Sequence, residues 1–185
     1  MATDRSPNHA QLPRRSAADL AGDAQRVMGK LEATGQDLTI LRLIANAPHS
    51  FRPYILLSDA LLNRATLPAE VREIVILWMA QRRGVEYERL EHLPMAARAG
   101  LTEEQLVRLE TDDVTADAFS DAARLAVDIA AHLLDGDGIP ADLWSRATSS
   151  WGDDGALDLL FTVSWWGGFV PLLIEGLGLT APDGT

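Results

Sequence analysis

Cysteine is absent from the 185 residues. That excludes disulfides, thiolate metal sites and cysteine nucleophiles together. Positive charge is scarce: 16 Lys and Arg face 27 Asp and Glu, for a net charge of −11. A nucleic-acid backbone or an anionic membrane surface is a poor partner for such a chain, so neither is expected. A clear membrane span is missing too. The stretch Leu159 to Ile174 has 16 uncharged residues, whereas a span needs about 20. Gly167-Gly168 and Pro171 interrupt it, so it reads as a buried helix kinked at the glycines. Residues 1–15 hold no apolar run. They lack the core of about 7–15 apolar residues that a signal peptide needs, and they read as a mobile arm. The DGDG at 135–138 lacks the further acidic ligands of a calcium loop and reads as a turn.

What is present is enough apolar material for one core. Apolar residues make up 47% of the chain, which argues for a folded domain over residues 16–180. The segments carry helical signals in succession. Ala17 to Thr34 reads as a first helix, with Ser16 and Asp19 at its start and Gly35 at its end. Asp37 to Asn46 reads as a short second one. Ser50 to Arg64 follows, with Ser50 as N-cap, Pro53 in the first turn and His49 in the loop before it. Thr102 with Gln105 forms a capping box for a helix to about Glu110. Ser120 caps another to Leu134, Pro140 opens one to about Ser149, and Ala156 to Leu179 closes the series. The fold class is all-α.

Glu70 to Gly100 carries chemistry as well as packing. Ile74 to Ala80 is apolar without a break, and periodicity alone does not separate strand from helix there. The flanks decide for a helix: Pro68 suits a first turn, Glu70 suits the positive end of the dipole, and Gly84 suits a stop. Apolar groups fall on nearly every side, so this helix belongs at the centre of the domain. Glu73 lies among them, and a carboxylate there must be paired, hydrogen-bonded or protonated. The alternatives are a structural ion pair with an arginine and a functional acid. In the next helix Glu88 and His92 are one turn apart on a common stripe with Met95 and Ala99, and Tyr87 lies beside them. Leu90, Leu93 and Ala97 form a separate apolar stripe. Pro94 removes the amide that would bond the Leu90 carbonyl, which predicts a bend after the histidine.

Taken together, Leu67-Pro68, Arg72-Glu73, Tyr87-Glu88, His92 and Gly100-Leu101 resemble the carboxymuconolactone decarboxylase family, related to alkylhydroperoxidase-D-like proteins. Weaker likeness reaches residues 48–62 and 157–179. The resemblance implies an all-helical bundle of about seven to nine helices that assembles as a homo-oligomer. It also places Glu73 and His92 in the family's active-site positions. The peroxidase branch uses a redox-active cysteine pair ahead of the histidine. Val85 and Glu88 stand there instead, so this chain is read as a cysteine-free branch, not a peroxidase. Ser164-Trp165-Trp166 departs from the family's Gly-x-Tyr pattern, and the two indoles would reshape a nearby pocket.

The resulting expectation is a cytoplasmic, cofactor-free lyase or isomerase acting on a small cyclic carboxylic acid or lactone. His92 would move the proton, Glu73 would hold the imidazole, Glu88 would tune it, and Tyr87 would donate a hydrogen bond to a developing enolate. Arg72, Arg52, His49, Trp165 and Trp166 are the candidate substrate contacts, the arginines as carboxylate clamps. No metal site is expected. Two other readings stand beside this one: a non-catalytic oligomeric small-molecule-binding protein, and a metal-dependent hydrolase using Glu73, Glu88 and His92 with His49 or His132.

Overall fold

The computed structural model describes residues 12–115 and 117–180. Most of the expected mobile arm therefore lies outside the described residues. Among those described there are nine α-helical stretches and no strand. They fall into two compact units. One holds the described residues up to Ser58 together with those from Leu172; the other is Asp59–Pro171.

In the first unit, Ser16 and Asp19 do form a capping box, but around a single 3₁₀ turn, Ala17–Asp19. The expected helix over 17–34 is thus split, and α1 runs Gly22–Thr34. Leu20 and Ala21 are extended, and Gly22 has a φ of +59° that glycine alone adopts without strain. Helix α2 spans Thr39–Ile44. The Arg15 amide donates to the Arg42 carbonyl at 3.0 Å, and Asn46 Nδ2 donates to the Pro13 carbonyl at 2.7 Å. Residues 13–15 are thereby tied to α2. Helix α3, Pro48–Asn63, begins two residues earlier than expected. Its fixed φ makes Pro48 a ready first helical residue, so Ser50 sits inside the first turn and is not the cap. His49 accordingly lies in that turn and not in a loop.

The second unit is organised on α4, Ala69–Arg83. Ten consecutive residues, Val71 to Ala80, are buried, as expected of a helix apolar on nearly every side. It packs against α5 (Glu86–Ala99), α6 (Glu103–Glu110), α7 (Asp121–Asp135) and α8 (Ala141–Ser164). Gly84, in the left-handed conformation at φ +67°, ends α4 and turns the chain into α5. Asp158 of α8 accepts from the Thr66 amide at 2.5 Å and the Leu67 amide at 3.3 Å. One carboxylate thus holds the approach to α4, whose own N-cap is Pro68 and has no side-chain oxygen to offer. The Thr102–Gln105 capping box and the Ser120 cap form as expected.

Helix α8 contains a non-helical residue, Gly152, at φ 70° and ψ 176°. It separates the two helical pieces expected on either side of residue 150. The kink expected at Gly167-Gly168 is a π-helical turn, Trp165–Phe169, followed by α9, Val170–Leu177. The close approach of α4 accounts for the glycine. A Cβ on Gly167 would lie 2.8 Å from Met79 Sδ and 3.0 Å from Leu134 Cδ2. By length and composition alone, residues 141–177 would be long and apolar enough to cross a membrane. The Gly152 break and the π turn interrupt the regular helix within that stretch.

Candidate functional site

The site grows out of the α4–α5 pair. Glu73 points from the second turn of α4 and is 0% exposed. Its two oxygens are divided between two partners. Oε1 accepts from Arg72 Nε at 3.1 Å and lies 3.1 Å from Arg72 Nη2. Oε2 meets His92 Nδ1 at 2.8 Å. Glu73 thus makes the arginine ion pair of the structural reading with one oxygen and reaches the histidine with the other. Arg72 is itself buried, at 8% exposure, and adjoins Glu73 in sequence. A guanidinium on one oxygen keeps the carboxylate an acceptor on the other.

The histidine also meets an aromatic ring. His92 is 4% exposed, and Trp166 presents its ring edge-on at 5.6 Å between centroids and 83° between planes. A carboxylate can only accept, so Nδ1 is the donor in this pair. Nε2 has no hydrogen-bond partner among the described residues. Neutral imidazole held this way presents a lone pair at Nε2, and imidazolium presents an N–H there.

Glu88 lies one helical turn before His92 on α5 and is also buried, at 2% exposure. Neither of its oxygens has a hydrogen-bond partner among the described residues. Burial pushes its carboxyl up to about 9, against the pull of the nearby Arg83 charge. Glu88 is accordingly neutral at pH 7. Arg83, in the last turn of α4, donates through Nη1 to the Gly167 carbonyl in the π turn. That bond ties the turn bearing Trp166 to the helix bearing Glu73. Tyr87 is buried in the first turn of α5.

Other candidates lie elsewhere. Trp165 is buried and tilts against Phe169 at 4.8 Å. His49 and Arg52 belong to the first unit and are exposed in the first turns of α3, where Arg52 Nε comes within 3.9 Å of Asp23. Arg64 pairs with Asp59 at 2.9 Å on the surface. Helix α5 continues through Pro94 to Ala99. Its polar stripe, Glu88 and His92, is the more deeply buried one, while Leu90 and Leu93 are only half-buried. Among the described residues, no group of three or more His, Asp or Glu side chains is placed to hold a metal ion.

Arg83 and Asp158 carry structural roles that sequence reasoning missed. Nothing in the local pattern marks them, since each acts on a backbone distant in sequence. The double glycine did signal a break in the last helix, but not its π geometry.

Residues 48–132 match the sequence model of the carboxymuconolactone decarboxylase family. No curated protein matches the chain significantly. The matched segment includes Arg72, Glu73, Tyr87, Glu88 and His92; Trp165 and Trp166 fall beyond it. The likeness read over residues 67–106 and, more weakly, over 48–62 falls within the matched segment, while the weaker likeness at 157–179 does not.

Proposed function

We propose that this protein, similar over residues 48–132 to the carboxymuconolactone decarboxylase family, is a cofactor-free acid–base enzyme of the lyase or isomerase type, acting on a small cyclic carboxylic acid or lactone. The observation that carries the reading is the buried Glu73 Oε2–His92 Nδ1 contact at 2.8 Å, with Nε2 unbonded. Glu73 sets the ring orientation and stabilises the imidazolium. Arg72 balances the Glu73 charge. In a decarboxylation, loss of CO₂ from a carboxylate beside a carbonyl leaves an enolate. The Nε2–H of imidazolium His92 then passes its proton to the substrate carbon, and the ring recovers that proton from solvent. The sum is one carboxylate and one proton giving one C–H bond and CO₂. General acid–base help of this kind is worth about 10²–10⁴-fold in rate.

The reading places the protein in the cytoplasm with a small-molecule substrate; the net charge of −11 argues against a nucleic-acid or anionic membrane partner. Exposed Leu157, Phe161 and Phe169, at 47%, 52% and 47%, support a homo-oligomer. The test is a thermal-shift screen of cyclic carboxylates, lactones and phenolic acids on wild type and His92→Ala, followed by CO₂ release and solvent proton incorporation for each hit. Hits that weaken in His92→Ala and turn over only in wild type uphold the reading. A second reading, a non-catalytic binding protein, draws on the closure of the site, since His92 and Glu73 are 4% and 0% exposed. It is favoured by hits that bind both proteins without turnover.

A further inference from the structure

We propose that Glu88 is the site's hydrogen-bond donor to a substrate oxyanion: a buried carboxyl, one turn from His92 on α5, that binds an enolate or phenolate oxygen. The inference deepens the acid–base reading above and rests on it for the identity of the site.

Three observations converge. Glu88 is buried at 2% exposure, yet neither oxygen has a hydrogen-bond partner among the described residues. An unsatisfied buried carboxyl costs free energy and is retained where a ligand completes it. Its position is one helical turn from His92, the spacing at which two side chains face the same space. Arg83, the nearby cation, donates through Nη1 to the Gly167 carbonyl and makes no hydrogen bond to Glu88. Burial keeps the group protonated below about pH 9, and a protonated carboxyl has one O–H to give.

The division of labour follows. His92, with Glu73 behind it, handles the proton that goes to or from carbon. Glu88 faces the oxygen on which negative charge accumulates, and donates a hydrogen bond without losing its proton. A substrate of this class carries a carbonyl conjugated to the reacting carbon, so that charge moves onto oxygen. Planar phenolates mimic that state and bind in place of the enolate.

The probe is 4-nitrophenolate, followed by its absorbance shift, on wild type, Glu88→Gln, Glu88→Leu and His92→Ala across pH 6–10. Glu88→Gln keeps a donor; Glu88→Leu keeps the volume and removes it. Circular dichroism confirms that each variant is folded. Binding in wild type and Glu88→Gln, at least about tenfold weaker in Glu88→Leu, is the expected result. In wild type the affinity falls as Glu88 loses its proton, while in Glu88→Gln it stays level over the same range. Equal affinity in wild type and Glu88→Leu, or no binding by any of the proteins, overturns the proposal. The outcome is separable from the acid–base reading. That reading fails if His92→Ala turns over the screened hits as fast as wild type, whatever Glu88 does to phenolate binding.

Discussion

Two ionic networks in the same unit use nearly the same side chains and differ in their surroundings. In one, Glu73 is shared between Arg72 and His92, with side-chain exposures of 0%, 9% and 5%. In the other, Arg108 on α6 gathers Glu104, Asp113 and Asp117 at 3.0–3.1 Å, with partners 67%, 42% and 70% exposed. The second has more bonds. Water competes for each of them, and salt screens the charges. The first has fewer bonds, but every member has given up its hydration, so each holds the others in place. The number of ion pairs therefore says little about their worth. Burial decides whether such a network fixes a side chain in place or merely decorates a surface.

The largest effect that tests this contrast is Glu73→Ala. It strands Arg72 and frees the His92 ring, and should cost about 3–5 kcal/mol, read from urea unfolding. A loss under about 1 kcal/mol would place the buried network with the exposed one.

Next comes Glu88→Gln. A carboxyl whose folded pKa is raised binds its proton more tightly in the folded than in the unfolded state. Its contribution is complete below the unfolded value near 4.5 and is lost as pH rises towards about 9. Wild type should therefore lose stability relative to Glu88→Gln across that window, by on the order of a few kcal/mol at pH 9. Melting curves at pH 5, 7 and 9 check the sign; a constant difference would mean that Glu88 titrates normally.

Gly167→Ala should be milder. The new methyl would press on Met79 Sδ at 2.8 Å and Leu134 Cδ2 at 3.0 Å, for a cost of about 1–3 kcal/mol. It should also disturb the Trp166–His92 edge contact, visible as a change in tryptophan fluorescence. The smallest effect is expected for Arg108→Ala, which should leave the melting temperature and any turnover unchanged at physiological salt. A clear destabilisation there would erase the distinction between the two networks.

Much of the fold was legible because helices announce their ends locally. The Thr102–Gln105 box, the Ser120 cap and the Gly84 stop each form within a few residues of chain. Expectation failed where one residue outweighed the pattern around it. Gly22 split the first helix, and Pro48 started α3 early enough to draw His49 into it. At the site, Glu73 was legible as a carboxylate in an apolar run and His92 as one turn from Glu88. The bond between Glu73 and His92 was not legible from spacing alone, because it crosses 19 residues and two helices.

Composition and local pattern by themselves determined the helical class, the buried central helix, the exclusion of thiol chemistry and the residues available for acid–base work. These follow from side-chain types and from contacts within a turn or two of helix. Only the tertiary structure decided which oxygen of Glu73 serves which partner. It also decided that Trp166 meets the His92 ring, that Arg83 ties the π turn to α4, and that Glu88 has no hydrogen-bond partner among the described residues. Each of those depends on where one helix meets another, and on how much water remains when they have met.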